Sequence, residues 1–478
     1  MIGRGTGVAG MWRRVGTRFL PFADAASEDL PLGRLVRLSL FQVSVGMAMV
    51  LLTGTLNRVM IVELAVPASV VSFMIALPIV FAPVRALIGH RSDTHRSFLG
   101  WRRVPFIWIG TMLQFGGFAL MPFALLVLTG QGQLHVPYAG EIGAALAFLL
   151  VGAGLHTTQT AGLALACDLA PPETRPRVVA LLYLMLLVGM MISALAFSEM
   201  LSHFTHTRLI QVIQGAALAT MLLNLIALWK QEGRNTARTA PDRARPSFGE
   251  AWALFSRTAR TRRLLVAVGL GTAAFAMQDV LLEPYGGQVL HLGVGATTAL
   301  TALLAWGTIV GLGISAKALG AGFDACRLAA IGALVGIPAF ACILLSSPLE
   351  SVGIFRTGTV LIGFGGGLYS VGMLTAVMDL ASSTGADSGI ALGAWGAVQA
   401  TAMGLAIGIG GAIRDLVAHL SAQGLLGPVF ADRSMSYAVV YQIEIALLFA
   451  TLIAIGPLVR YARNEDHHRH FGLAELPG

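Results

Sequence analysis

A chain of 478 residues that is 56% hydrophobic and only 12% charged is not a water-soluble globule, in which charged residues make up about a quarter. Its apolar runs are long and unbroken instead of short and alternating, which points to membrane-spanning helices over a transmembrane barrel. The net charge of +8 is spread over several loops that flank apolar runs, so membrane topology accounts for it better than nucleic-acid binding does.

Residues 1–33 are polar and basic, with Trp12, Val15 and Phe19 at helical spacing opposite Arg13, Arg14 and Arg18. Two readings stand: a short amphipathic helix on the inner membrane surface, or a frayed positive tail. No short apolar core followed by a small-residue cleavage site marks a removable signal peptide. About 20 apolar residues cross the hydrocarbon core. Runs of that kind predict helices at 36–60, 68–90, 104–129, 141–166, 178–200, 209–229, 264–283, 296–316, 327–346, 353–378, 388–412 and 436–459. The count is even, so both termini share a side.

With the termini on the cytoplasmic side, Lys and Arg fall in that side's segments. The exceptions are Arg58, Arg208, Arg414 and Arg433 outside, and Arg85 and Arg356 at span ends. This is the positive-inside bias of an inner membrane. The polar stretch 230–263, with Pro241 and Pro246, reads as a cytoplasmic linker between six-helix halves at 34–229 and 264–459, and 460–478 as a cytoplasmic tail. An internal repeat supports the division. GLALACDLA, with Asp168, recurs as MLTAVMDLA, with Asp379, and at the same offset Gly152 and Gly154 fall on Gly363 and Gly365. Both copies end the fourth helix of their half.

The turn from Arg85 to Arg103 carries Gly89-x-x-x-Asp93, then Arg96, then Gly100-x-Arg102-Arg103. It resembles the loop signature between the second and third helices of the major facilitator superfamily, with a longer gap between Asp93 and the closing arginines. That resemblance implies an all-α fold of twelve helices in two halves with a binding site between them, and a gating role for this loop. Asp168 and Asp379 read as gate residues or as helix caps.

An ionisable residue inside a span is costly and by default faces the bundle interior. The first helix carries Asn57 and Arg58 followed by Glu63; the seventh carries Gln278 and Asp279 followed by Glu283 and Pro284. Arg58 and Asp279 are therefore candidates for a latch between the halves or for ligand contact, the alternative being solvated groups at headgroup level. Helix four carries His156, Thr157, Thr158 and Gln159 in an otherwise small, apolar segment. A neutral imidazole can supply the axial ligand to a magnesium held by four ring nitrogens, with a neighbouring amide orienting it; a hydrogen-bonded packing histidine is the other reading. Cys167, Cys326 and Cys342 lack metal spacing and read as packing residues. His90, His95, His467, His468 and His470 read as solvated loop residues. Gly307-x-x-x-Gly311, Gly332-x-x-x-Gly336 and Gly404-x-x-x-Gly408 read as sites of close helix approach, and Gly363–Gly367 as a hinge or as room for a neighbour. No nucleotide-binding loop appears, so ATP-driven transport is not expected. No residue arrangement suggests an enzyme.

The runs LSLFQVSVGMAMVLLTGTLNRVMIVEL, RALIGHRSDTHRSFLGWRRVPFIWIGTMLQFGG, GLHTTQTAGLALACDLAPPETRPRVVALLYLMLLVGM and AMQDVLLEPYGG together resemble the PucC/LhaA-type bacteriochlorophyll delivery family, a facilitator branch of purple phototrophic bacteria. The resemblance implies an assembly factor that binds bacteriochlorophyll a, or a precursor, and hands it to light-harvesting antenna polypeptides in the inner membrane. The core antenna is the favoured client and the peripheral one the alternative. Pigment-synthesis enzymes and the membrane insertion machinery are further implied partners. His156, Gln159, Arg58, Asp279 and Glu283 are the pigment-contact candidates. The scarcity of polar groups in the spans and the 18 methionines suit an apolar guest, although core filling explains the methionines equally. Two other functions compete: a proton-coupled secondary transporter of a small solute, and a ligand-free scaffold for antenna assembly.

Overall fold

Each apolar run forms a helix in the computed structural model, which describes residues 30–80, 103–129, 138–171, 174–231, 259–384 and 388–462. The helices are α1 (Leu32–Glu63), α2 (Ala68–Val80), α3 (Val104–Leu128), α4 (Ala139–Leu169), α5 (Arg175–Met200), α6 (His206–Leu228), α7 (Ala259–Gln288), α8 (Val294–Gly320), α9 (Ala325–Ser346), α10 (Val352–Thr384), α11 (Ser388–Ala422) and α12 (Arg433–Ala462). Eleven are long and apolar enough to cross a membrane; α2 is shorter as described, because residues 81–102 lie outside the described residues. No strand occurs among the described residues. Several helices outrun their predicted spans, α11 reaching Ala422 against an expected 412. Hydrocarbon thickness limits the apolar run, whereas the helix carries on through polar residues such as Arg414, Asp415 and His419.

Residues 30 and 462, the first and last described, fall at one end of the twelve-helix bundle, called the near end here; the other is the far end. Within the first half α3 packs along α4, and α1 against α5 and α6; within the second, α10 packs against α8 and α9, and α12 against α7 and α9. The halves meet along α2 with α11 and α5 with α8. Small residues make the approaches possible. On α3 and α4, Gly110 and Gly154 leave each backbone against the other, and Gly295 of α8 sits on the backbone of Ser198 in α5 and of Ser202 just beyond its end. Gly411 of α11 makes room for Ser72 of α2, and Asp415 accepts the Ser69 amide at 2.7 Å. Buried polar side chains are used as ties. Asn224 of α6 accepts from Ser44 of α1 at 2.8 Å and donates to Thr111 of α3 at 2.9 Å, interhelical bonds that hold the register of three helices where water is excluded.

Two central helices are irregular. α1 is α-helical over Leu32–Met49, then π-wound over Val50–Leu56 and Val59–Glu63. Thr53 donates to the Met49 carbonyl at 2.9 Å where the change begins, the kind of side-chain back-bonding that competes with helical bonds. α7 is α-helical over Ala259–Ala276, tightens to a 3-10 turn over Met277–Val280, and resumes over Leu282–Gln288. Pro284 explains the break: it has no N–H to give the carbonyl four residues back, that of Val280. α10, by contrast, runs unbroken through Gly363–Gly367. Gly363 lies against the Leu304 backbone of α8 and Gly365 against Gly332 of α9, so these glycines serve close packing and not a hinge.

Candidate functional site

The irregular parts of α1 and α7 meet each other in the far half of the bundle. Asn57 of α1 donates to the Val280 carbonyl at 2.8 Å, the acceptor that Pro284 leaves open, and to its own Thr53 carbonyl at 2.9 Å. A helix defect in one half is thus satisfied by a side chain of the other. Thr55 of α1 and Thr298 of α8 share a hydrogen bond of 3.3 Å beside it. Replacing Asn57 with leucine should leave the Val280 carbonyl buried and unpaired, at a cost of about 1–3 kcal/mol. The Pro284→Ala change, which restores an intrahelical donor, should reduce that penalty. Thermal melting of the two single variants and the double variant checks this, and simple additivity would overturn it.

Arg58, 3% exposed, is ion-paired with Glu63 and donates to the Leu292 carbonyl at 3.1 Å, reaching across to the start of α8. Its charge also acts on Glu283, which is 3% exposed and accepts from Thr301 at 2.7 Å. Gly54 and Gly287 give this cluster its space: a side chain on Gly54 would strike the Glu283 carboxylate, and one on Gly287 would press on the Arg58 guanidinium. Nearby, Gln288 donates to the Ile61 carbonyl at 3.3 Å and accepts from Arg414 at 2.6 Å and Tyr437 at 2.8 Å. Arg414 pairs with Asp415 at 2.9 Å and lies over the Tyr437 ring. The far end is therefore closed by a polar clasp drawn from α1, α7, α8, α11 and α12.

The expected Arg58–Asp279 latch is not formed. Glu63 takes the arginine, and Asp279 instead accepts from Gln278 at 2.5 Å. Nor is Arg58 solvated at headgroup level, since it is buried. Arg58 and Glu283, both singled out in the sequence, do come together. Glu444 of α12 was missed by the sequence reading. It is fully buried beside Asp279 and the Gln278 backbone, and the signal that reveals it is the rule already applied to α1 and α7, an ionisable residue inside a span.

His156 and Gln159 form a separate set on α4. His156 is half-buried, one turn beyond Gly152, which packs on Pro78 of α2, and Gln159 is buried. Between them Thr157 donates to the Ala153 carbonyl at 2.7 Å and Thr158 accepts from Gln114 at 3.0 Å, so both hydroxyls are engaged. At the near end Arg103 is ion-paired with Asp168 at 3.0 Å. A carboxylate at the C-terminal end of α4 is disfavoured by the helix dipole, and the arginine at the start of α3 offsets it. Asp168 is thereby tied to the start of α3. Asp379 is exposed within α10, which continues to Thr384, so it terminates no helix. The remaining loop candidates, Arg85, Gly89, Asp93, Arg96, Gly100 and Arg102, lie outside the described residues, as do most of the linker and both chain ends. Among the described residues no cluster of three or more His, Cys, Asp or Glu is arranged to hold a metal.

A family model described as PUCC protein matches residues 55–463. Protein PucC of Rhodovulum sulfidophilum is 60% identical over 408 residues, 84% of this chain and 89% of that protein. An uncharacterized protein of Rhodobacter capsulatus, from the puhA-bchM intergenic region, is 55% identical over 96% of this chain and 97% of its own length. A more distant relative, the bacteriochlorophyll synthase 44.5 kDa chain of Rhodobacter capsulatus, is 27% identical over 89% of this chain and 98% of its own. Among solved structures, the nucleoside transporter NupG superposes with a TM-score of 0.65 at 15% identity, covering 88% of this chain and 99% of that one. An inward-facing bacterial homolog of the human lysosomal transporter Spinster gives 0.62 at 16%, covering 90% and 96%. At such identities the likeness establishes the fold alone, the twelve-helix major facilitator arrangement.

Proposed function

This chain belongs to the PucC family, and from that premise we propose that it serves the photosynthetic apparatus of a purple bacterium as a pigment-handling assembly factor. In this reading it binds bacteriochlorophyll a, or a precursor, within the bundle and delivers it to light-harvesting antenna polypeptides, the core antenna first. It works in the inner membrane with both termini in the cytoplasm, in contact with pigment-synthesis enzymes and the insertion machinery. The observation that carries the reading is kinship along nearly the whole chain with a protein named for bacteriochlorophyll synthesis.

The chemistry of the spans agrees with such a guest. A long apolar pigment needs mostly apolar walls and few polar anchors. The far-end clasp engages Arg58, Asn57, Gln288 and Arg414 in contacts between helices. In α4 the imidazole of His156 would supply a nitrogen ligand to the magnesium of such a pigment, and the buried Gln159 one turn away would help to orient it.

The test is the absorption spectrum of detergent-solubilised protein from phototrophically grown cells. Bound bacteriochlorophyll is expected at a fixed ratio to protein, and His156→Ala should lower that ratio about tenfold. Pigment-free protein, together with normal antenna levels in a deletion strain, would overturn the proposal.

A further inference from the structure

Glu444 is fully buried within α12, and neither of its carboxylate oxygens makes a hydrogen bond. The Gln278 backbone acts on it from short of hydrogen-bond geometry, and the charge acting on Glu444 is that of Asp279. Two more buried atoms lack partners at the same place. Gln278 is 2% exposed, its amide nitrogen is committed to Asp279, and its Oε1 is unpaired. Tyr441, one helical turn before Glu444, is 0% exposed with an unpaired hydroxyl. Glu444 and Tyr441 of α12 and Gln278 and Asp279 of α7 thus belong to the region where α12 packs on the broken turn of α7.

The surrounding charges do not neutralise them. From α1 comes Arg58, committed to Glu63 and the Leu292 carbonyl; from α11 come Arg414 and Asp415, paired with each other. α7 adds Glu283 and Tyr285, α12 adds Tyr437, the described part of α2 adds no titratable group, and α9 adds Cys326, Arg327 and Cys342, with Arg327 at its near-end start. No Lys or Arg among the described residues pairs with Asp279 or Glu444. Two neighbouring carboxylates, one fully buried and the other partly buried, do not both stay ionised without a compensating charge.

We propose that the Asp279–Glu444 pair, with Gln278 Oε1 and the Tyr441 hydroxyl, binds one monovalent cation, a proton or a sodium ion, that holds α12 to the break in α7. An all-oxygen set suits either. Only two acidic groups contribute, and no cluster of three or more metal-ligating side chains is found among the described residues, which speaks for a single charge over a divalent ion. The proposal does not depend on pigment binding.

The test uses the purified full-length protein, wild type and Glu444→Gln, in detergent at constant ionic strength. If sodium is bound, the wild type melts higher in sodium chloride than in choline chloride, and the response vanishes in E444Q. If a proton is bound, sodium has no effect. Infrared spectra then show a protonated-carboxyl band that shifts in heavy water and is lost in E444Q. Wild-type stability should also fall as pH rises, because the folded state holds a proton that the unfolded chain releases. Asp279→Asn serves if E444Q is not recovered. Absence of both the sodium response and the carboxyl band, or a response unchanged in both variants, would overturn the proposal.

Discussion

Substituting Arg58 with alanine is expected to destabilise the protein by about 3 kcal/mol, the cost of breaking a buried ion pair from one side. The ion pair with Glu63 supplies the smaller part, because the Glu63 side chain is 34% exposed and solvent screens it, leaving under about 1 kcal/mol. The larger part comes from the Leu292 carbonyl, which would lose its donor, and from whatever negative charge the buried Glu283 keeps beside Arg58. Arg58→Lys keeps the charge but not the two-pronged fork that reaches Glu63 and Leu292 together, so an intermediate loss is expected.

The discriminating variant is the double substitution Arg58→Ala, Glu283→Gln. If a stranded Glu283 charge dominates, removing that charge should recover most of the melting temperature lost in R58A, a coupling visible in a double-mutant cycle. A double variant no more stable than R58A would show that Glu283 is not what Arg58 offsets. Melting measured by fluorescence-detected size exclusion suffices, since no functional assay enters the comparison.

The pairing of Arg58 also shows where the sequence stops being legible. Twelve spans can be read because hydrocarbon thickness sets a run length that polar loops interrupt. Pairing Arg58 with Asp279 rested on matching positions in the two halves and on tacitly regular helices. In an α-helix, residues five apart point to different faces. In the π-wound Val59–Glu63 segment the backbone bonds span five residues, as from Leu64 to Val59, and this brings Arg58 and Glu63 onto one side. Nothing local in VMIVE announces that winding. Pro284 was visible, and so was the carbonyl it must leave open, but that Asn57 of the other half fills it depends on how the halves dock. Glu444 was within reach of the sequence alone: an acid inside a predicted span carries its own warrant. The run Gly363–Gly367 does not by itself choose between hinge and packing, because glycine serves both, and only the backbones of α8 and α9 against α10 decide it.

The glycines of α8 and α9 that face α10 carry the other large effect. Gly307→Leu, in α8, should leave little or no monodisperse protein, while Gly313→Ala, two turns along the same helix, should be neutral or mildly stabilising. The difference lies in what a side chain would meet. At Gly307 the first added carbon would strike the Val360 carbonyl oxygen and crowd the Phe364 amide, both backbone atoms of α10 that cannot rotate away; at Gly313 nothing lies within 4 Å. Overpacking against movable side chains costs about 1–3 kcal/mol, and an obstacle made of helix backbone should exceed that, because α8 and α10 must separate along their contact. Separation is especially damaging in a bilayer, where lipid tails are as apolar as the helices and close packing, not hydrophobic burial, holds helices together. At Gly313 the change only removes the conformational freedom of glycine, a gain of up to about 1 kcal/mol in a helix interior. Gly332→Leu in α9, facing the Gly365 carbonyl and the Tyr369 amide of α10, should behave like G307L. Solubilised yield and elution profile decide: G307L recovered at the level of G313A would mean that α8 and α10 do not approach backbone to backbone.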